Sequence, residues 1–478
     1  MKKIVTVLLI LCTLFVCACA PTEQPTASPE GTQGSTETQG TADVTPEPTP
    51  TPTMLPTDES LPTSQQIENG FINATNTTPE FHEMSDFNPT GQFAGIKAGW
   101  YEGMDKNGKK TKVFAYVGFP KNASADNKVP AIVLVHGGGG HAFLQWVKMW
   151  NDRGYAAIAM DNTGYFPTKV NAGSTETNAD WRFGIPRDLK EDGYTNAPNN
   201  DDLQSSNKKN ASTMWMYHAV GQTILASNLL RADERVDADK VGVTGISWGG
   251  LITSITMGYD SRFAFAIPIY CTGYSVENVW GGMYTRFTRD NGTQELWAPE
   301  NRYDKVTMPV LWLCWNDDNG LWVKSNSHSY LDGIKNNPDC RLSMKHKMFH
   351  SHGSAWTPGE SMAFADSVVK GGAKLTQVTD NSQGKALSLT LNADASATKI
   401  TATAYYLTKE ITHKKYKKYH YDPSHDFLEE QWNTVALTVD GNTVSGTLPD
   451  DALSYYVEVK TTVGGKEYVT SSVYTAFN

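Results

Sequence analysis

Between Phe71 and about Lys374, short continuous apolar runs alternate with segments of helical spacing. This alternation limits the possible folds more than any other feature of the chain. "VPAIVLVHGGGG" is an apolar run ending in glycines, the pattern of a parallel strand buried on both faces. "FLQWVKMWNDRG" follows with helical spacing and a glycine stop, and "YAAIAMD" is a second buried strand. After a long polar insertion the alternation resumes with the helix "MWMYHAVGQTILASNLLRAD", the strand "KVGVTG" and a further helix. The strands "FAFAIPIYC", "MPVLWLCW" and "CRLSMKHKM" then alternate with the helices "HSYLDGIKN" and "GESMAFADSVV". Only "TKVFAYVGFP", near the start, alternates apolar and polar positions like an antiparallel strand. Repeated strand–helix units predict a mainly parallel sheet flanked by helices, an α/β class domain. Sites in such sheets form at the carboxyl ends of the strands.

At one such end "KVGVTG" runs into Gly245-Ile246-Ser247-Trp248-Gly249 and a helix begins at once. A sharp turn there pushes a serine hydroxyl outward, although small residues also simply suit tight turns. A serine nucleophile needs a base to take its proton and an acid to orient that base. The strand "PVLWLCW" leads into Asn316-Asp317-Asp318, and "CRLSMKHKMF" leads into His350-Ser351-His352-Gly353. The order Ser, Asp, His at successive strand ends is that of an α/β-hydrolase triad. Either aspartate can instead cap the following helix. His350 is preferred as base because it follows its strand most directly, which leaves His352 to orient neighbouring groups or touch substrate. "HGGGGH" (His136–His141) offers backbone N–H groups to a developing oxyanion, and Gly138 or Gly139 with the N–H of Trp248 are the candidate donors. The Lys-Ser/Thr of a phosphate-binding loop is missing from it. No metal is expected, since a set built on His346, His350 and His352 lacks a fourth ligand.

"LVHGGGGHAFLQWVKMWNDRGYAAIAMD", "GISWGG" and "MFHSHGSAWTPGESMAFADS" resemble the acetyl xylan esterase/dienelactone-hydrolase-like branch of the α/β-hydrolases. The resemblance implies Ser247 as nucleophile, Asp318 as acid and His350 as base, with no cofactor. The acid loop departs from the pattern: "CWNDDNGLW" places Trp315 where relatives often carry glycine, which leaves Asp317 in contention. The activity implied is cleavage of a carboxylic ester, plausibly an acyl group on a carbohydrate. A serine peptidase on the same fold, or a carbohydrate-binding or adhesion lipoprotein built on a hydrolase scaffold, are the alternatives.

Two insertions carry aromatics: Gly164 to Ser212 with Trp181, Arg182 and Phe183, and Ser275 to Tyr303 with Trp280, Tyr284, Phe287 and Trp297. Such rings suit stacking on a substrate or packing onto their own domain. From residue 375 to 478 the helical pattern gives way to alternating strands with "VDGN" and "VGGK" turns, predicting an immunoglobulin-like β-sandwich. Cys271, Cys314 and Cys340 show no metal-type spacing and are expected as buried thiols, with a Cys271–Cys314 disulfide the alternative.

The N-terminus reads as an export signal: Lys2 and Lys3 precede "IVTVLLILCTLFV" and a small-residue stretch. Val16-Cys17-Ala18-Cys19 resembles a lipobox with Cys19 as the lipidated residue, so residues 1–19 are expected to form a lipoprotein signal that leaves the mature chain anchored outside the cell membrane, with ordinary secretion without a lipid the alternative. Residues 20–70, rich in Thr, Pro and Glu, are expected to be a disordered stalk. Residues 71–374 then form the catalytic domain. A net charge of −10 with no extended basic patch argues against nucleic acid as a partner; "KKYKKYHY" (Lys414–Tyr421) reads as a solvated strand or loop.

Overall fold

The computed structural model describes residues 54–169, 181–184, 194–198, 209–277, 287, 292–318, 323–409 and 432–477. Residues 1–53, with the expected signal and Cys19 among them, and "KKYKKYHY" lie outside these. Among the described residues no helix is long and apolar enough to cross a membrane.

Strands β1 (His82–Glu83), β2 (Lys97–Glu102), β3 (Lys112–Gly118), β4 (Val129–Val135) and β5 (Ala156–Met160) open a nine-stranded sheet. After a separate hairpin of β6 (Phe166–Lys169) and β7 (Trp181–Gly184), the sheet is completed by β8 (Val236–Ile246), β9 (Ala266–Ile269), β10 (Leu311–Trp315) and β11 (Arg341–Lys345). The spatial order is β1-β2-β3-β5-β4-β8-β9-β10-β11. From β5 to β11 every pairing is parallel, while β1, β2 and β3 pair antiparallel. The continuous apolar runs explain the parallel part, since every residue of β5 and β10 is buried.

Eight helices accompany the sheet among the described residues. They are α1 (Thr63–Thr75), α2 (Leu144–Asp152), α3 (Trp215–Ala232), α4 (Trp248–Tyr259), α5 (Thr293–Trp297), α6 (Val323–Asn336), α7 (His352–Trp356) and α8 (Gly359–Val369). Long α3 is buried along almost its whole length and packs on α4 and on the central strands. Helix α8 lies beside the end of α2, where Asp366 accepts from Tyr155 Oη at 2.8 Å and pairs with Arg153 at 2.6 Å.

Helix α1 corrects the expectation of disorder up to residue 70. Its Ile67, Phe71 and Ala74 follow at i, i+4 and i+7 and are fully buried, Phe71 stacking on Tyr217 at 5.4 Å. Burial of side chains the size of Ile67 or Phe71 stabilises by about 2 kcal/mol each. Gln66 ties the helix down by donating to Leu61 and Lys209 carbonyls and accepting from Ala211 N–H. The folded body thus includes residues before Phe71.

The C-terminal part is an antiparallel β domain. Its strands are β12 (Gln377–Asp380), β13 (Ala386–Asn392), β14 (Ala397–Leu407), β15 (Trp432–Asp440), β16 (Thr443–Thr447), β17 (Ser454–Val463), β18 (Lys466–Ser471) and β19 (Thr475–Ala476). They run in the order β12-β13-β16-β15-β14-β17-β18, with β19 on β17. Strand β15 joins two groups: Trp432–Leu437 pair with β14, and Thr438–Asp440 form a hairpin with β16. Alternate residues of β13 (Leu387, Leu389, Leu391) point into a core shared with Val444, Val457 and Val459.

This domain covers β11, the last strand of the large sheet. An uncovered edge strand presents unpaired N–H and C=O groups. Here the cover is built from side chains: Met344 N–H donates to Ser471 Oγ (3.1 Å), His346 N–H to Glu458 Oε2 (3.0 Å), and Ser343 Oγ to Val469 O (2.7 Å). Glu360 on α8 links both parts, accepting from Val469 N–H at 2.8 Å and from Lys345 Nζ at 2.7 Å. Tyr405 and Tyr456 of the β domain belong to the main hydrophobic core.

Candidate active site

Strand β8 ends at Ile246, helix α4 starts at Trp248, and Ser247 between them has φ 57° and ψ −116°. A positive φ is unfavourable for a residue with a side chain and marks stored strain at a functional turn. The flanking glycines are required by close approach. A Cβ on Gly245 would lie 2.1 Å from Gly249 O, and one on Gly249 would lie 2.1 Å from Val135 O. The Ser247 N–H donates to Ile269 O at 3.0 Å, fixing the turn to the neighbouring strand.

The hydroxyl of Ser247 lies 2.8 Å from His350 Nε2, and His350 Nδ1 lies 2.6 Å from Asp318 Oδ2. The carboxylate faces Nδ1, so that nitrogen carries the proton and leaves Nε2 as acceptor for the serine O–H. Asp318 is fully buried, whereas the His350 side chain is 27% exposed and so open to a substrate. The adjacent carboxylate goes elsewhere: Asp317 Oδ2 is 3.8 Å from His346 Nδ1, toward the β domain. The sequence thus names three residues that the fold brings into one hydrogen-bonded line.

The order along the chain is also settled. Counted from β2 with the β6–β7 hairpin set aside, the large sheet runs 1-2-4-3-5-6-7-8. Ser247 follows the fifth strand, Asp318 the seventh and His350 the eighth. The chain folds as an α/β-hydrolase. No protein-family model matches this chain, and no curated protein matches it. Solved structures similar to it include an acetyl xylan esterase from Paenibacillus sp. R4, at 18% identity over 63% of this chain and 94% of that one, with a TM-score of 0.42. Acetyl xylan esterase 1 from Thermoanaerobacterium sp. JW/SL YS485 is similar at 17% identity over 62% and 88%, TM-score 0.38. A puromycin-hydrolyzing peptidase from Mycobacterium tuberculosis shares 17% identity over 59% of this chain and 40% of its own, TM-score 0.40. Strand order and triad order identify the fold, not these distant likenesses.

The glycine loop of this chain sits beside Ser247. A Cβ on Gly137 would lie 3.0 Å from Ser247 Cβ, and one on Gly138 would lie 2.8 Å from Trp248 Cδ1. Gly138 and Gly139 are exposed, and Gly139 has φ 68° in a turn closed by Gly140 N–H donating to Gly137 O at 3.0 Å. Trp248 is the first residue of α4, at the positive end of that helix.

One group at the site, Tyr270, escapes sequence reasoning. Tyr270, just past β9 with φ 68°, stacks on the His350 ring at 4.3 Å and donates its hydroxyl to Phe349 O at 2.5 Å. Its position at a strand end is the one signal in the sequence by which it could have been found. Cys271 Sγ lies 3.9 Å from Ser247 Oγ, and burial pushes its thiol pKa up so that it stays protonated. All three described cysteines are free and buried, so Cys271 and Cys314 are not bridged. His352 sits on the glycine loop, not on the triad: its Nε2 accepts from Gly137 N–H at 3.1 Å. Of the insertion aromatics, Phe287 and Trp297 are buried in the core. Trp280 and Tyr284, and the side chains of Trp181, Arg182 and Phe183, lie outside the described residues.

Proposed function

We propose that this chain is a serine esterase that cleaves carboxylic esters, with acyl groups on carbohydrate as the substrate class, through an acyl-enzyme on Ser247. The hydrogen-bonded line Ser247–His350–Asp318 on a strained turn is the observation that carries the proposal. His350 Nε2 takes the Ser247 proton as Oγ attacks the ester carbonyl carbon. The oxygen of the tetrahedral species takes the negative charge and is met by the N–H groups of Trp248 and of Gly138 or Gly139. Collapse breaks the C–O bond to the alcohol, which leaves with the proton from His350 Nε2. A water then gives its proton to His350 and attacks the acyl carbon. The acid is released and the proton returns to Ser247 Oγ.

A sugar ring finds an apolar surface beside the triad: Phe349, next to His350, is 61% exposed with Trp315 at 5.4 Å. The β domain is read as an immunoglobulin-like sandwich, supported by its two strand groups and the alternation of β13. On the sequence alone we place the enzyme outside the cell membrane, lipid-anchored at Cys19.

A fluorophosphonate probe should label the parent and not Ser247→Ala, and short-chain aryl esters and acetylated sugars should be turned over only by the parent. Unchanged labelling or activity in Ser247→Ala would remove the triad from the chemistry, and exclusive cleavage of aminoacyl amides would make the enzyme a peptidase. A fatty-acid analogue fed to cells should mark the parent and not Cys19→Ala; equal marking would refute the anchor.

A further inference from the structure

We propose that His352 is a positioning residue of the oxyanion loop, holding Gly137 by its N–H while His136 holds it by its carbonyl. The proposal rests on the serine-hydrolase reading above. The Gly137 N–H donates to His352 Nε2 at 3.1 Å, and the Gly137 carbonyl lies 2.8 Å from His136 Nδ1. Each imidazole has only one protonation pattern that suits this. His136 Nε2 accepts from Asn162 N–H at 3.0 Å, so its proton is on Nδ1 and donates to Gly137 O. His352 must carry its proton on Nδ1, because Nε2 is the acceptor. One ring thus gives a hydrogen bond to Gly137 and the other receives one from it.

The support behind each ring is firm. His136 is buried, and its own carbonyl accepts from Asn162 Nδ2 at 2.9 Å. The His352 ring packs on Phe143 at 4.7 Å, and Phe143 packs on Trp356 at 5.1 Å. The His352 ring also fills the hollow of the loop, since a Cβ on Gly140 would come within 2.7 Å of its Nε2. Burial pushes its pKa down to about 4, and the imidazoles of His136, His141 and His350 that face it push the same way. The ring thus stays an acceptor at neutral pH. An amide aimed at a developing oxyanion stabilises it only if it is already oriented before the reaction. Gly138 and Gly139 have no side chains to orient them, so the orientation must come from the peptide next to them. A held Gly137 supplies it.

The experiment compares the parent with His352→Phe, His352→Gln and His352→Asn, using steady-state kinetics on an aryl acetate, fluorophosphonate labelling rates and circular dichroism. Glutamine places an acceptor oxygen about where Nε2 stands; asparagine falls short, and phenylalanine keeps the ring without the acceptor. Loss of orientation should lower kcat about 100-fold in His352→Phe with KM within about threefold, on the scale of one oxyanion donor. His352→Gln should recover to within about tenfold of the parent, and His352→Asn should not. If His352→Phe does not fold, the Gln–Asn contrast decides. A kcat within threefold of the parent in His352→Phe, a loss confined to KM, or equal damage from Gln and Asn overturns the proposal. A parent that takes no fluorophosphonate label brings down the hydrolase reading, and this proposal with it.

Discussion

Asp317 and Asp318 are neighbours in sequence yet serve different parts of the molecule. One oxygen of Asp318 holds His350 at 2.6 Å, whereas Asp317 lies toward His346 and the β domain. The sequence reduced the acid to these two, because both follow the same strand. Which of them turns inward depends on the local backbone path, which spacing does not encode. Tyr270 was illegible for a similar reason, since it reaches the triad across strands. In a Ser–His–Asp relay the acid fixes the imidazole tautomer. Asp318→Asn should therefore lower kcat by about four orders of magnitude. Asp317→Asn should cost less than about tenfold, because its carboxylate does not touch the base. Steady-state kinetics on a short-chain ester would check this ranking, and the reverse order would transfer the acid role to Asp317.

At the scale of elements, the parallel strands were readable because burial on both faces leaves continuous apolar runs such as "AIVLV" in β4 and "LWLCW" in β10. Helix α1 was not, because its buried positions are spread through a polar segment and its partner surface on α3 is distant in sequence. The junction of β8 and α4 is the most demanding element. A methyl group on Gly249 would meet the backbone oxygen of Val135 at 2.1 Å, and backbone cannot step aside as a side chain can. Gly249→Ala should thus destabilise the fold by about 3 kcal/mol and abolish turnover. Gly353→Ala, in the short helix α7 with nothing within 4 Å of its added carbon, should be close to neutral. Chemical denaturation of both variants would test the contrast. Equal stability in the two would mean that the junction relaxes more freely than its packing suggests.

At the scale of the whole molecule, buried imidazoles make stability depend on acid. Burial lowers His218 from an ordinary value of 6.5 to about 3, and His352 to about 4. Both pKa values are depressed in the folded state, so the unfolded chain takes up these protons first as pH falls. The stability they contribute is full above pH 6.5 and is lost as pH drops toward about 4 for His352 and about 3 for His218. The thermal midpoint of the parent should fall across this window, and His218→Gln should show a shallower fall. Parallel curves for the two proteins would mean that His218 stays neutral for another reason or does not control the transition.

The closure of the large sheet by Ser471, Glu458 and Ser343 decides how its two parts depend on each other. Two sheets joined strand to strand would share one register, and a change in either would propagate through the other. Here the join is made of side-chain hydrogen bonds and of Tyr405 and Tyr456 packed into the main core, with no strand register shared among the described residues. The strand register of either half can therefore shift without imposing itself on the other, like tiles held by dowels instead of a common grain. The same economy leaves little redundancy. Losing Ser471 and Glu458 would leave the N–H groups of Met344 and His346 without acceptors beneath the β domain, a penalty that falls on stability.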